Sequence, residues 1–193
     1  MIHAVTVYCS SGRDVGRVYF DAAAEMGTAI AREGWELVYG GNDCGCMGAL
    51  ADAARAAGGR VVGVTPQVLH TQGVTDHKCH ELVITPGMRE RKALLEQRGD
   101  AFITLPGGLG TLEEIFEIIV GRSLGFHAKP IVLVNVVNFF APLLAMLDRG
   151  IEQNFIKAKS RRLFHVSPSV ADAIAHLKQG ARPSAAPDPS AAE

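Results

Sequence analysis

A glycine-rich turn between a predicted strand and a predicted helix is the strongest candidate for a binding site in this sequence. The apolar run Ala101–Leu105 leads into Pro106-Gly107-Gly108-Leu109-Gly110-Thr111, and a helical pattern follows. Glycine lets the backbone come close to a ligand, and the start of a helix offers unpaired N–H groups and a partial positive charge. The pattern is neither G-x-G-x-x-G nor G-x-x-x-x-G-K-[ST]. It therefore predicts either a phosphate site of another type or a tight connection with no ligand.

The residues that follow this turn could provide a carboxylate that acts on a ligand. Thr111-Leu112-Glu113-Glu114 has the spacing of a capping box, in which a threonine begins the helix and a glutamate follows three residues later. On a helical wheel Glu114 lies opposite the apolar stripe, so we expect it to point away from the core. The pattern alone favours a cap or a solvated position over a catalytic one.

A second charged segment, Met88-Arg89-Glu90-Arg91-Lys92, follows Pro86-Gly87. The usual position of such a run is the solvated start of a helix, and the pattern alone favours that interpretation. The alternative is a cationic rim that neutralises a phosphate, with one arginine making a bidentate contact.

A cluster around residue 78 suggests a metal site at first sight. Asp76, His77, Cys79 and His80 lie close together in the chain, but their spacing matches no common zinc pattern. Cys44-x-Cys46 is not a C-x-x-C motif either. We predict no metal and interpret Cys9, Cys44 and Cys46 as small core or loop residues.

The elements that must position these residues alternate between short apolar runs and longer amphipathic patterns. Most of the runs are continuously apolar, which is typical of strands covered on both faces of a parallel sheet. The candidate strands are His3–Cys9, Trp35–Tyr39, Arg60–Val64, Glu81–Thr85, Ala101–Leu105, Ile131–Val136 and Leu163–Val166. The alternation predicts an α/β fold of the Rossmann-like, doubly wound type, with about seven parallel strands and helices on both faces.

Two further turns should lie beside the first one in such a sheet. Cys9-Ser10-Ser11-Gly12 follows the first strand, and the glycine-rich segment 40–48 follows the second. Because ligands bind beyond the carboxyl ends of parallel strands, we expect all three turns to converge on one crevice.

Composition excludes several classes of protein. The chain has 193 residues, a formal charge of −1 and 48% hydrophobic residues, which fits one globular domain and rules out a disordered chain. Without a basic excess we expect no nucleic-acid partner. No segment has the pattern of a signal peptide or a membrane span, so we expect a cytoplasmic protein with no membrane partner. We predict a single domain over residues 1–182 and a flexible tail rich in proline, alanine and serine over residues 183–193.

Three motifs in this order resemble those of the LONELY GUY (LOG) family, the cytokinin riboside 5′-monophosphate phosphoribohydrolases. They are the glycine-rich segment 40–48 with Met47-Gly48, the Met-x-x-Arg-Lys segment 88–92, and Pro-Gly-Gly-x-Gly-Thr-x-x-Glu at 106–114. Relatives have often been labelled lysine decarboxylases. The chain departs from the common family pattern at Asn42, at Cys46 and at Gly121-Arg122-Ser123.

The resemblance implies a Rossmann-like homodimer that needs no cofactor and takes a small-molecule nucleoside 5′-monophosphate. It implies hydrolysis of the N-glycosidic bond of AMP or an N6-modified AMP, giving the free base and ribose 5-phosphate. Arg91 and Glu114 would be the catalytic pair. The resemblance and the turns together suggest these substrate- and phosphate-binding residues: Ser10, Gly41, Gly45, Met47, Gly48, Met88, Lys92, Gly107, Gly108, Gly110 and Thr111.

Two other functions fit the same sequence. One is an AMP nucleosidase of purine salvage, which the residues do not separate from a cytokinin-activating enzyme. The other is a non-catalytic carrier of a nucleotide or of the molybdenum cofactor, which needs the glycine turn but not the carboxylate.

Overall fold

The computed structural model describes residues 1–180, and the segment 183–193 that we predicted to be a tail lies outside them. Seven parallel strands form one sheet in the order β4-β3-β2-β1-β5-β6-β7. The strands are β1 Ala4–Tyr8, β2 Glu36–Tyr39, β3 Val61–Pro66, β4 Glu81–Thr85, β5 Ala101–Thr104, β6 Ile131–Val134 and β7 His165–Ser167. Each of the seven predicted strands is confirmed within two residues at either end.

Seven helices connect and cover these strands. They are α1 Arg17–Arg32, α2 Gly45–Ala56, α3 Gln67–Thr71, α4 Met88–Arg98, α5 Leu109–Leu124, α6 Ala141–Glu152 and α7 Val170–Gly180. Short 3-10 turns lie at Val136–Asn138 and Ala158–Arg162. Among these helices in residues 1–180, none is both long enough and apolar enough to cross a membrane.

The sheet is buried on both faces, which explains its continuously apolar strands. Alternate residues of β1 enter different cores: Val5 and Val7 join one, and Tyr8 joins the other. The first core is covered by α1, α2 and α7, and the second by α4, α5 and α6. A layer of helices on each side of a parallel sheet confirms the predicted doubly wound fold.

The crevice that positions the site opens beside β1. The chain adds strands on one side of β1 up to β4 and then crosses to β5 on its other side. This reversal separates the loops at the carboxyl ends of β1 and β5, which creates a binding crevice in open α/β sheets. The first two turns touch there, because the N–H of Met47 donates to the carbonyl of Ser10 at 3.1 Å.

Candidate active site

A buried ion pair lies at this edge of the sheet. Nη1 of Arg91 donates to Oε1 of Glu114 at 2.7 Å, and the two side chains are only 5% and 6% exposed. Arg91 also donates from Nε to the carbonyl of Val64 at 3.0 Å and from Nη2 to the carbonyl of Gly40 at 3.4 Å. The charge run at 88–92 is therefore not simply a solvated helix start: Arg91 is held by two strand-end carbonyls and one carboxylate.

The capping box predicted at Thr111 is wrong. Helix α5 begins at Leu109 after Gly108, so Thr111 is its third residue, and it is buried. The expectation that Glu114 points to solvent is wrong as well. Glu114 lies on the side of α5 opposite the apolar stripe, but α4 covers this side and places Arg91 against the carboxylate.

Burial shifts the pKa of the Glu114 carboxyl. Loss of solvent raises the pKa of this carboxyl above its ordinary value, and the neighbouring Arg91 guanidinium offsets part of that rise. A carboxylate in this position is poorly solvated and held in one orientation. Both properties suit electrostatic stabilisation of a positive charge that develops on a bound ligand.

The ion pair forms one wall of a cleft of about 260 Å³. Eight of the predicted site residues line this cleft: Ser10, Met47, Met88, Arg91, Gly108, Gly110, Thr111 and Glu114. The structure thus brings together parts of all three turns and of the Met-x-x-Arg-Lys segment. A Cβ added at Gly108 or Gly110 would meet no atom within 4 Å, so the start of α5 presents open backbone to the cleft. This is the arrangement that binds an anion at a helix N-terminus.

The other predicted glycines do not line the cleft, and their surroundings give them structural roles. Gly45 has φ +62°, and a Cβ there would lie 2.5 Å from the backbone of Ser11. A Cβ on Gly107 would lie 2.1 Å from Oγ1 of Thr111. Gly41 also has positive φ, and Gly48 lies against the backbone of Asp43. These glycines let the turns approach each other, and any direct contact with substrate stays a prediction.

Lys92 is also outside the cleft lining. Its ammonium group pairs with Glu113 and, at 2.9 Å, with Glu117, both one helix away on α5. Glu113 itself lines the cleft. The structure therefore links Lys92 to the site through Glu113, and its predicted contact with the phosphate stays a prediction.

Two lining residues, Leu69 and Glu113, were missed from the sequence. Cys9 and Ser11 also line the cleft, and they belong to the first turn, which was expected there but of which only Ser10 was predicted as a binding residue. Leu69 lies on the short helix α3 directly after β3, so the rule that strand ends share one edge could have identified it. Gly40 was missed as well, although its carbonyl anchors Arg91 and a Cβ on it would lie 2.2 Å from Nη2.

Asp76 and its neighbours, which suggest a metal site in the sequence, form a different arrangement. Within residues 1–180, no three His, Cys, Asp or Glu side chains come together as metal ligands would. Asp76 is buried and instead accepts hydrogen bonds from the Tyr39 hydroxyl at 2.8 Å and from Arg55 at 2.7 Å. Its own N–H donates to the carbonyl of Gly41 at 2.9 Å, which fixes the base of the second turn.

Comparison with known proteins identifies the family. The sequence pattern of a protein family described as "Possible lysine decarboxylase" matches residues 47–177. A cytokinin riboside 5′-monophosphate phosphoribohydrolase of Mycobacterium tuberculosis is 42% identical over 170 residues, covering 88% of this chain and 90% of that protein. The chain belongs to the LONELY GUY family.

Other proteins similar to this LONELY GUY family member support the assignment. A probable cytokinin riboside 5′-monophosphate phosphoribohydrolase of Oryza sativa subsp. japonica is 41% identical over 175 residues, covering 91% of this chain and 77% of that protein. Among solved structures, the molybdenum cofactor carrier protein of Chlamydomonas reinhardtii matches with a TM-score of 0.69 and 25% identity. That match covers 92% of this chain and 97% of the carrier, so the two share one architecture over most of their length.

Proposed function

We propose that this protein hydrolyses the N-glycosidic bond of AMP and of N6-modified AMP, as cytokinin-activating enzymes do. The products are the free base and ribose 5-phosphate. The single observation that carries the proposal is the buried Arg91–Glu114 pair, 2.7 Å apart, in a cleft that opens onto the glycine turn at the start of α5. The names of the relatives that are about 40% identical agree with it.

The chemistry follows from this arrangement. The 5′-phosphate binds the N–H groups at the start of α5, which uses binding energy remote from the reacting bond to position the sugar. A water oxygen forms a bond to C1′ as the bond from C1′ to the base breaks. The base leaves with its electron pair and takes up a proton, and the water loses one. Positive charge develops on the sugar, as in glycoside hydrolysis, and the Glu114 carboxylate stabilises it.

Arg91 serves this step by fixing the carboxylate. It holds Glu114 with one Nη group while its other donors are engaged by Val64 and Gly40. These contacts hold the guanidinium in place, so that it fixes the orientation of the Glu114 carboxylate beside the cleft.

The same pair argues against a pure carrier. Burying a carboxylate costs free energy unless it is paired, and pairing it here requires a second buried charge. A protein that only holds a phosphate needs the open backbone of α5 and gains nothing from Glu114. The name "possible lysine decarboxylase" has no support from the cleft, because none of the residues lining it is a lysine.

Product analysis with matched variants tests the proposal. Wild-type protein should release adenine from AMP, and Glu114→Gln and Arg91→Ala should each lower kcat by about a hundredfold or more. Glu25→Gln is the control, because Glu25 is an exposed glutamate on α1 that does not line the cleft. Free base released equally by all four proteins would overturn the catalytic pair, and no release by wild type from any nucleoside monophosphate would favour a carrier.

The preferred base is decided by a second comparison. One apolar substituent in a pocket changes binding by about 1–3 kcal/mol. A cytokinin-activating enzyme should therefore have a kcat/KM for isopentenyl-AMP that is at least about tenfold higher than its kcat/KM for AMP. Equal values would indicate an AMP nucleosidase of purine salvage.

We also propose that the protein is a homodimer. Large apolar side chains lie exposed on and beside α5 and α6: Val120, Leu124, Phe126, Met146 and Phe155. Val120 also lines an apolar groove of about 190 Å³ between these helices and the segment that follows α6. Exposed apolar side chains beside an apolar groove favour a protein interaction surface. Light scattering should give twice the chain mass, and Val120→Glu should reduce it to one chain.

The remaining expectations concern domain organisation and location. We propose that residues 1–182 act as one domain, because all seven strands join a single sheet. We propose the cytoplasm as its location, because all four cysteines are unpaired and a reducing compartment keeps them so. Limited proteolysis tests the single domain, and the position of a fluorescent fusion in the cell tests the location.

A further inference from the structure

A short loop between α5 and β6 contacts both helices that carry the buried ion pair. It contains His127 and Lys129 and lies just before β6 begins at Ile131. The ammonium group of Lys129 donates to the main-chain carbonyl of Glu96, in the last turn of α4, at 2.6 Å. Carbonyls at the end of a helix have no partner within it, and a cation is favourable there. Lys129 therefore anchors the end of α4 to this loop.

The same loop contacts α5 through His127. Nε2 of its imidazole lies 2.9 Å from the carbonyl oxygen of Ile118. Because a carbonyl only accepts hydrogen bonds, Nε2 carries the hydrogen and donates it. Nδ1 is buried, and it finds no hydrogen-bond partner among residues 1–180. The bond to Ile118 is therefore what orients the ring.

Both of these side chains pack on the ring of Phe102. Phe102 is fully buried in β5. Its ring centroid lies 5.5 Å from the ring centroid of His127 and 5.5 Å from Nζ of Lys129. Tilted aromatic pairs and a cation over an aromatic ring are each favourable contacts. His127, Phe102 and Lys129 thus form one packed unit that is bonded to both α4 and α5, and we call it the helix brace.

The helix brace acts close to the catalytic pair. Glu96 follows Arg91 by five residues on α4, and Ile118 follows Glu114 by four residues on α5. At about 1.5 Å per residue, these two carbonyls lie about 6–8 Å along the helix axes from the paired residues. The ion pair joins the two helices at 2.7 Å, and the helix brace joins them about one turn further along. Two connections at different positions along a pair of helices fix its tilt as well as its separation.

We propose that His127 and Lys129 are positioning residues, which hold α4 and α5 in the arrangement that keeps the Arg91 guanidinium against the Glu114 carboxylate. Neither side chain lines the cleft, so both act on a bound ligand only through that pair. Their importance for turnover rests on the proposed hydrolase function, whereas their effect on the ion pair does not.

Titration of Glu114 tests the proposal without a substrate. Carbon-13 NMR of protein labelled in its glutamate carboxyl groups reports the pKa, and the signal missing from Glu114→Gln identifies this residue. Arg91 lowers the pKa of Glu114, so His127→Leu and Lys129→Met should each raise it as the guanidinium moves away. His127→Gln and Lys129→Arg retain a donor and should keep the wild-type pKa.

The His127 variants decide the outcome, because they leave the charge of Lys129 in place. A pKa of Glu114 in His127→Leu equal to that of wild type would overturn the proposal, even if Lys129→Met raised it. His127→Asn, whose side chain is too short to reach Ile118, takes the same place in the test if the leucine variant does not fold.

Ser167→Ala is the control for stability. Ser167 is buried in β7, and its hydroxyl donates to the carbonyl of Ser169 at 2.9 Å, not to α4 or α5. The substitution should lower the urea midpoint of unfolding and leave the pKa of Glu114 unchanged. An equal rise of that pKa in Ser167→Ala would show a general loosening of the fold and would contradict a specific helix brace.

Turnover provides the second measurement. His127→Leu and Lys129→Met should each lower kcat for AMP by about tenfold or more with little change in KM, because a misplaced Glu114 stabilises the transition state less. In the Glu114→Gln background the same changes should lower kcat by less than about twofold, since they act through that carboxylate. An undiminished loss in that background would mean that they act by another route. If AMP releases no adenine while the pKa of Glu114 moves as expected, the hydrolase proposal fails and the helix brace stands.

Discussion

Arg91 and Glu114 are 23 residues apart in the chain, yet their side chains meet at 2.7 Å at the carboxyl edge of the sheet. Arg91 comes from α4 and Glu114 from α5, and β5 lies between these helices in the sequence. The carbonyls that hold Arg91 come from Val64 in β3 and from Gly40 just after β2. The position of the pair is therefore set jointly by two helices and two strand ends.

The charge state of Glu114 predicts the acid limb of the pH–rate profile. In the proposed mechanism catalysis needs the ionised carboxylate, and burial raises the pKa of Glu114 above the ordinary value of 4.5. We expect kcat/KM to fall as the pH drops through this raised pKa, at a higher pH than a solvent-exposed glutamate would give. Arg91→Gln removes the charge that lowers the pKa and should move the limb to still higher pH. A limb at or below pH 4.5 in wild type would contradict this account.

Gly40→Ala should disable the site through Arg91. The added Cβ would lie 2.2 Å from Nη2 of Arg91, so the guanidinium must move away from its carbonyl and from Glu114. We expect at least a tenfold loss of kcat and a loss of stability of about 1–3 kcal/mol from overpacking. Kinetics and urea unfolding measure the two effects. Gly16→Ala is the control, since a Cβ there makes only ordinary contacts at 3.7 Å, and its kcat should match wild type.

Gly108→Ala should weaken the binding of AMP without lowering the stability of the fold. Gly108 has φ −89°, which any residue adopts, and a Cβ there meets no protein atom within 4 Å. The melting temperature should therefore stay within about 2 °C of wild type, while the methyl group hinders a phosphate at the start of α5 and raises KM for AMP. The opposite pattern, in which stability falls and KM is unchanged, would mean that the phosphate binds elsewhere.

Asp76→Asn should weaken the fold in a pH-dependent way. Burial by itself raises the pKa of Asp76, but hydrogen bonds from Lys78 N–H, Tyr39 and Arg55 outweigh it, so the pKa lies below its ordinary value. A lowered folded-state pKa means that the ionised carboxylate stabilises the fold above the unfolded pKa and that this contribution is lost as the pH falls through the folded one.

We therefore expect Asp76→Asn to cost about 1–3 kcal/mol at neutral pH, because Tyr39 and Arg55 lose a charged acceptor. The difference from wild type should narrow in acid. Denaturant unfolding at pH 7 and near pH 3, below the unfolded pKa of about 3.9, measures it. Asp21→Asn is the control, because Asp21 is 59% exposed and pairs with the exposed Arg17. A difference that grows in acid would contradict the assigned direction of the pKa.

The strands were predictable because burial on both faces leaves a strong signal in the sequence. Runs such as Val61–Val64 are apolar at every position, and glycine or polar residues end them. Helix starts were less predictable. Helix α5 begins at Leu109 without a side-chain cap, and Thr111 lies inside the helix although its spacing to Glu114 matches a capping box. The apolar residues of α6 are divided: Leu143, Leu144 and Leu147 are partly buried against the second core, and Met146 is largely exposed.

The environment of the site could be predicted only in part. A helical wheel treats α5 as an isolated cylinder, so Glu114 looked solvated when α4 in fact covers it. Similarly, Arg91 stands among charged residues in the sequence, and only the tertiary fold shows that it is the buried one. The family resemblance pointed to both residues, but the depth of their burial and the two carbonyls that hold Arg91 came from the structure.

The central place of β1 makes the proposed catalytic pair depend on both halves of the chain. Arg91 is held by carbonyls from one side of β1, and Glu114 arrives from the other side. A peptide cut near Gly99 would leave the guanidinium on one fragment and the carboxylate on the other. Neither fragment would cleave a nucleotide alone, and turnover would return only on reassembly, so the enzyme could serve as a split reporter of association between two fused proteins.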